Sequence, residues 1–229
     1  MRLFLVRHPK PEVQQGVCYG ASDVACTAQA LEFAAENLLN VLPKGLKITC
    51  SPLSRCEHLA QILCRLDADL AYKTDQKLAE MHFGQWEMVA WERIAQAELA
   101  AWADAFASYR CGGSGESTAL VLQRVAQLLH QHGMQGEDHI WITHAGVIRA
   151  VQWLGKQPYS LITSLIEPLD PAPILSHLRA ADWPKGEVAF GQLCRGQPWD
   201  WPVAWPKRPL VNRWVPHRVP ASGQGSPLG

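Results

Sequence analysis

Short apolar runs alternate with longer apolar stripes along the first two thirds of the chain. The runs at 3–6, 46–50 and 139–143 have the length and composition of buried strands. Between them, apolar residues recur at the spacing of one helix face. The stripes predict five helices, which cover 31–42, 51–63 with Pro52 at the first position, 91–106, 120–129 after the Gly112–Gly115 break, and 146–154.

This alternation predicts an α/β fold. Strands that are separated by helices of ten or more residues pair in parallel, and a parallel sheet is covered on both faces. We therefore expect a three-layer α/β/α sandwich with a mostly parallel central sheet. A chain of 229 residues is long enough for one domain with a real core, and we place that domain at 1–195.

The last part of the chain, 196–229, has a different character. It holds four tryptophans and seven prolines and has almost no apolar period. We expect this Trp/Pro-rich tail to pack on the surface of its own domain, because exposed tryptophans are costly, while docking of a partner is the open alternative. The end of the tail, 221–229, is predicted to be disordered.

Composition narrows the class of partner. With 21 basic and 21 acidic residues, the chain has no net field that would favour a nucleic acid or an anionic membrane. The apolar start at 3–6 is too short for a signal peptide or a span, and seven cysteines without a C-x-x-C pair indicate reduced thiols. We predict a cytoplasmic protein that binds a small molecule and holds no metal or cofactor; a homodimer stays open.

Polar residues follow three of the predicted strands. Arg7 and His8 follow the first, Arg55 lies four residues after Ser51 beyond the second, and His144 follows the third. Ligands of such folds bind at the carboxyl ends of parallel strands. Two arginines and two histidines at that edge would form a pocket for a dianion, because arginine binds phosphate oxygens in a bidentate, permanently charged way.

These residues carry a resemblance to a known family. The segment Leu5-Val6-Arg7-His8 resembles the signature that opens the histidine phosphatase superfamily, and the run up to Cys18-Tyr19-Gly20 is most similar to its bacterial α-ribazole phosphatase-like members. The resemblance implies a phosphoglycerate mutase-like fold. Segments that resemble the family's other motifs follow in its order at 19–23, 51–55, 78–87, 115–117 and 143–149.

The resemblance also implies roles for single residues. His8 is expected to attack phosphorus and form a phosphohistidine, Glu80 to protonate the leaving oxygen, and water to complete the hydrolysis of a small phosphomonoester without metal. A possible substrate class is α-ribazole 5'-phosphate. The expected phosphate clamp consists of Arg7, Arg55 and His144, and further substrate contacts are expected from Tyr19, Gly20, Glu116 and Ala145.

The sequence leaves other functions open. The chain departs from the family pattern at Pro9, Cys26 and Met88, which leaves the substrate uncertain. The alternatives are a phosphoglycerate mutase-like enzyme, a broad sugar-phosphate phosphatase, and a module that binds a phosphorylated ligand without turnover. His130 and His132, two residues apart near a helix end, are interpreted as contacts of the helix dipole.

Overall fold

The computed structural model describes residues 2–167 and 169–194. The predicted tail at 196–229, its end at 221–229 and the domain boundary at 195 lie outside the described residues. The strands are β1 (Leu3–Arg7), β2 (Val17–Cys18), β3 (Lys47–Cys50), β4 (Tyr72–Thr74), β5 (Val89–Ala90) and β6 (His139–Thr143). The helices are α1 (Ala28–Leu39), α2 (Ser54–Leu66), α3 (Gln96–Asp104), α4 (Thr118–Gln135), α5 (Ala145–Leu154) and α6 (Tyr159–Ser164).

Four strands form the central sheet in the order β1-β6-β3-β4, and every neighbouring pair is parallel. In this register Arg7 lies beside Thr143, and Cys50 lies beside Ile142. Because the strands share one direction, their carboxyl ends meet at one edge of the sheet. The predicted parallel sheet is confirmed, and it brings the residues after β1, β3 and β6 together.

Helices cover both faces of this sheet. On β6, Ile140 and Ile142 belong to a core shared with α1 and α2, whereas Trp141 belongs to a core shared with α4 and α5. Val6 and Leu5 of β1 divide between the two cores in the same way. Each fully buried side chain of this size contributes about 1.5–3 kcal/mol relative to its exposed state. The three-layer α/β/α sandwich is therefore confirmed.

Several helix boundaries differ from those that the pattern predicts, and α4 continues to Gln135 rather than ending near residue 129. Helix α1 ends at Leu39 rather than near residue 42. Helix α2 begins at Ser54 and not at Pro52, because the Ser51 hydroxyl accepts a hydrogen bond from the Leu53 N–H at 3.2 Å and closes a turn first. The first amide of α2 then donates to Asp23 Oδ1 at 2.8 Å, which caps the helix from a distant loop.

The helix predicted for 91–106 is wrong at both ends. Trp91–Arg93 is a short 3-10 helix, Ile94 is extended with φ −73° and ψ 133°, and α3 covers only Gln96–Asp104. The apolar spacing here serves an aromatic cluster instead of a helix face. Trp91 and Trp102 stack with ring centroids 6.3 Å apart, and Trp86 packs against both. Tertiary packing has overridden the local period.

All seven cysteines are free thiols. In the parts of the chain that the structure describes, no helix is long and apolar enough to cross a membrane.

Candidate active site

The candidate site lies at the carboxyl edge of the central sheet. His8 follows β1 and its N–H donates to the Thr143 carbonyl at 3.0 Å, while the Ser51 N–H after β3 donates to Ile142 at 2.9 Å. These bonds extend the sheet by one residue on each strand. They fix the backbone of three consecutive sheet neighbours and bring the His8 and His144 rings within 5.0 Å of each other, measured between centroids.

The imidazole of His8 is held as one tautomer. Its Nδ1 lies 2.6 Å from the Pro9 carbonyl oxygen, which can only accept a hydrogen bond. The proton is therefore on Nδ1, and Nε2 carries the free lone pair. A free, correctly oriented ring nitrogen is what a nucleophilic histidine requires.

Burial keeps His8 neutral. The residue is 1% exposed, and burial together with the positive charges of Arg55 and Arg7 lowers the pKa of His8 from 6.5 to about 3. The Pro9 hydrogen bond opposes this shift but does not reverse it. At neutral pH the lone pair on Nε2 is therefore present in nearly every molecule.

His144 is fully buried beside His8. Its Nε2 lies 2.8 Å from the Ser51 hydroxyl and 3.5 Å from Cys56 Sγ. Burial, with the neighbouring His8 and Arg55, moves the pKa of His144 well below 6.5. The ring is thus neutral, and a bound dianion would favour a proton on it, which suits a residue that stabilises phosphate oxygens.

Arg55 is a buried cation held by backbone carbonyls. It lies in the first turn of α2 and is 0% exposed. Nη1 donates to the Ser22 carbonyl at 2.7 Å and Nη2 to the Gly20 carbonyl at 2.6 Å. Its buried Nε has no protein partner within the described ranges. A buried charge without a carboxylate partner is costly, so this arrangement is typical of an anion-binding site.

Arg7 is the second cation of the site. Its Nη1 donates to the Val188 carbonyl at 2.6 Å, and its buried Nε finds no acceptor among residues 2–167 and 169–194. Burial lowers the pKa of Arg7 from 12.5, yet the group stays charged at neutral pH. Two guanidinium groups with unpartnered Nε donors thus flank His8.

The loop that holds Arg55 is itself fixed by Glu87, a residue to which the sequence patterns assigned no role. Its carboxylate accepts hydrogen bonds from the Ala21 N–H at 3.0 Å, the Ser22 N–H at 2.9 Å and the Ser22 hydroxyl at 2.5 Å. Gly20 has φ +34°, and a Cβ there would lie within 3.0 Å of Glu87 Oε1. Gly20 therefore acts through its backbone, which it presents to Arg55.

Tyr19 lines the same side of the site. Its ring lies 6.5 Å from the His8 ring in an edge-on arrangement, and the Arg55 guanidinium lies 5.2 Å from its centroid. Burial raises the pKa of Tyr19 above 10.0, against the opposing charges of Arg7 and Arg55. The phenol is neutral at physiological pH and can donate a hydrogen bond to a bound oxygen.

Glu80 lies at the N-terminus of α5. Its Oε2 accepts from the Gly146 N–H at 3.1 Å, and its Oε1 accepts from its own neighbour, the Met81 N–H, at 3.0 Å. Glycine at position 146 leaves room for this contact, because a Cβ there would fall within 3.0 Å of Glu80 Oε1 and 3.2 Å from Glu80 Cδ. Helix α5 therefore positions His144 and the Glu80 carboxyl together.

The two remaining predicted residues lie at the periphery of this arrangement. Glu116 pairs with Arg124, at 2.9 Å from Nε, and accepts from the His82 N–H at 3.0 Å. These bonds support the segment that carries Glu80. Ala145 is the first residue of α5, next to His144, and is nearly buried. Their contact with substrate stays a prediction.

Among the described residues, no group of three or more His, Cys, Asp or Glu side chains is arranged to hold a metal ion.

One wall of the site comes from a segment that the sequence did not indicate. The Phe190 ring lies 5.6 Å from the His8 ring and 3.5 Å from the Arg7 guanidinium carbon, and Val188 binds Arg7 through its carbonyl. No motif surrounds these residues, so only the tertiary structure shows them. Gly146 and Ser51 do lie in segments that resemble family motifs, but their contacts with Glu80 and His144 arise only in the tertiary structure.

Solved structures with the same fold are numerous, and 138 chains match. A protein of Thermus thermophilus is 32% identical over 66% of this chain and 82% of its own, with a TM-score of 0.54. The α-ribazole phosphatase of Shigella flexneri is 25% identical over 72% of this chain and 84% of its own, with a TM-score of 0.59.

A mycobacterial glucosyl-3-phosphoglycerate phosphatase, at 24% identity over 71% of this chain and 83% of its own, has a TM-score of 0.58 and shows the fold alone. The comparison with curated proteins found no significant match. A family profile described as "Histidine phosphatase superfamily (branch 1)" matches residues 3–165, which include every residue of the predicted site. This match, together with the neutral, oriented His8 between two arginines, shows that the chain belongs to the histidine phosphatase superfamily.

Proposed function

We propose that this protein is a metal-independent phosphomonoesterase that works through a phosphohistidine on His8. The observation that carries the proposal is the state of the His8 ring. Its Nδ1 is bound to the Pro9 carbonyl, its Nε2 is free, and burial lowers its pKa to about 3. A family match over 3–165 and phosphatases among the similar structures support the same chemistry.

The first chemical step transfers the phosphoryl group to the protein. His8 Nε2 forms a bond to phosphorus while the bond between phosphorus and the ester oxygen breaks. Glu80 supplies the proton that the leaving oxygen takes, so the alcohol departs neutral.

The second step regenerates the site. A water molecule attacks the phosphohistidine, Glu80 as a carboxylate takes one proton from that water, and the bond between phosphorus and Nε2 breaks. Inorganic phosphate leaves, and His8 again carries its proton on Nδ1 only. His8 and Glu80 act in both steps, and the Glu80 carboxyl ends with the proton that it gave up in the first step.

The clamp acts on the charge that moves during both steps. Arg7 and Arg55 each have an Nε donor without a protein partner in the described structure, and His144 is held beside His8 by Ser51. Preorganised donors that face the equatorial oxygens contribute most of the rate enhancement in phosphoryl transfer. Replacing either arginine should therefore reduce kcat more than it weakens substrate binding.

The proposed substrate is a small phosphorylated metabolite, with α-ribazole 5'-phosphate as the first compound to test. The resemblance of the opening segment and the Shigella flexneri structure support this choice. We further propose that the enzyme acts in the cytoplasm, without nucleic acid or membrane as a partner.

A panel of phosphate esters tests the proposal. Purified enzyme should release inorganic phosphate from α-ribazole 5'-phosphate in the presence of a chelator, and vanadate should inhibit it. A control reaction tests for mutase activity with 3-phosphoglycerate as the substrate. Formation of 2-phosphoglycerate should stay at background. Hydrolysis that is lost in chelator and restored by zinc or magnesium would refute the metal-independent mechanism.

A further inference from the structure

We propose that Phe190 is a positioning residue that fixes the orientation of the Arg7 guanidinium for phosphate. This inference rests on the proposed function, because it concerns how Arg7 binds the phosphate of the substrate. Phe190 lies outside the matched family region at 3–165. Phe190 lies against Arg7 with the guanidinium carbon 3.5 Å from the ring centroid. At that distance the cation sits directly on the face of the ring, where the attraction is strongest.

The backbone around Phe190 is anchored to the strand that carries Arg7 and His8. The Gly191 N–H donates to the carbonyls of Arg7 at 3.0 Å and His8 at 3.1 Å. Further along, Leu193 pairs with Val6 in an antiparallel bridge, and the Cys194 N–H donates to Leu5 at 2.7 Å. The segment therefore lies along the edge of β1, and the Phe190 ring is held in place by main-chain bonds.

The same segment restricts which atoms of Arg7 remain available. Nη1 donates to the Val188 carbonyl at 2.6 Å, and the ring of Phe190 covers one face of the guanidinium. The buried Nε has no partner in the described ranges. The Tyr19 phenol lies within hydrogen-bond reach of the same guanidinium. Nε is thus the donor that is left to bind a phosphate oxygen, through a charge-assisted hydrogen bond.

Phe190 also lines a cavity of about 930 Å³, together with Pro9, Lys10 and Phe33 among others but with neither His8 nor His144. The ring is 36% exposed and contacts His8 at 5.6 Å between centroids. Two different roles for Phe190 would affect different parts of the substrate. A positioning residue acts on phosphate through Arg7, whereas a simple wall acts on the leaving group.

Inorganic phosphate separates these roles because it has no leaving group. Phe190→Leu keeps an apolar side chain but removes the ring face, and Phe190→Tyr keeps the ring. We expect Phe190→Leu to weaken competitive inhibition by inorganic phosphate by about threefold to thirtyfold, the range of a partly desolvated cation–π contact. Phe190→Tyr should restore the wild-type inhibition constant, and kcat/KM should change in parallel.

Phe33→Ala is the matched control. Phe33 lines the same cavity from α1 and is 69% exposed, so its loss enlarges the cavity without touching the proposed contact. Its inhibition constant for phosphate should equal that of the wild type. Melting temperatures of all variants report whether folding is affected.

Three results would overturn the proposal. The first is an unchanged phosphate inhibition constant in Phe190→Leu with a raised KM for esters, which would make Phe190 a leaving-group contact. The second is an equal loss in Phe190→Leu and Phe190→Tyr. The third is a loss in Phe190→Leu that follows a lowered melting temperature. Failure of the proposed function would give a different result, since the wild-type enzyme would then hydrolyse no ester. Binding of inorganic phosphate to the wild type and to Phe190→Leu could still be compared by calorimetry.

Discussion

Gly146→Ala should impair catalysis without destabilising the protein. The added Cβ would lie within 3.0 Å of Glu80 Oε1, where ordinary contacts begin at 3.4 Å, so the carboxyl group has to withdraw. It would also weaken the 3.1 Å bond from the Gly146 N–H to Glu80 Oε2. Displacing a catalytic group by on the order of 1 Å costs roughly 10²-fold in rate.

The effect on stability should have the opposite sign. Gly146 lies in the first turn of α5, where alanine is the better helix former by up to about 1 kcal/mol. Movement of a single carboxyl group costs part of this gain. We expect the melting temperature to stay at or near the wild-type value while the rate falls, a combination that general unfolding cannot produce.

The assay compares two leaving groups. An alkyl alcohol needs a proton in order to leave, which the proposed mechanism takes from Glu80, whereas a nitrophenolate leaves without help. For both Gly146→Ala and Glu80→Gln we expect kcat/KM to fall about 10²-fold on an alkyl phosphate and much less on p-nitrophenyl phosphate. Equal losses on the two substrates, or an alkyl phosphate rate within about threefold of wild type in Gly146→Ala, would refute the assignment of Glu80 as the acid.

Three further predictions concern stability, the Arg55 loop and the tail. Burial lowers the pKa of His132 to about 2 and that of His139 to about 4, and Lys73 and Lys47 add to the shift while Glu137 and Asp138 oppose it for His139. Below about pH 6.5 the unfolded chain takes up protons on these two histidines while the folded chain does not, so the free energy of unfolding falls as the pH drops below that value. Urea midpoints should therefore decrease between pH 7.5 and 5, and equal midpoints would contradict this. Glu87→Ala should release the Tyr19–Ser22 loop and reduce kcat/KM by about 10²-fold or more through Arg55, and Glu87→Gln, which keeps an acceptor oxygen, should lose less; a wild-type rate in Glu87→Ala would contradict the role given to this loop. Removal of 196–229 should leave kcat unchanged, since every site contact described above lies within 2–194; lost activity at an unchanged melting temperature would make the tail part of the site.

The strands and the site residues at their ends could be predicted from the sequence, because they depend on local pattern. Apolar runs located the strands that end at Arg7, Cys50 and Thr143, and the rule that ligands bind at carboxyl ends then brought His8 and His144 together. The register of a parallel sheet does this without any detailed packing. The family resemblance added Glu80, whose place at α5 no periodicity could have shown.

Features that depend on tertiary contacts were missed or wrong. Phe190 carries no motif and reaches Arg7 only because its segment lies along β1. His132 was interpreted as a contact of the helix dipole, but it is fully buried, stacks on His139 with centroids 4.0 Å apart and receives a hydrogen bond from Trp141. Its burial was not visible in the sequence, because a histidine near a helix end is usually exposed.

Trapping of the covalent intermediate tests the central claim most directly. Enzyme mixed with a ³²P-labelled phosphate ester and quenched in base within the first turnover should carry label that is stable in base and released in acid, as a phosphohistidine is. One label per active site, mapped by peptide analysis to His8 and absent from His8→Ala, is the predicted result. Label that persists in His8→Ala, or wild-type turnover without any trapped label, would contradict the mechanism.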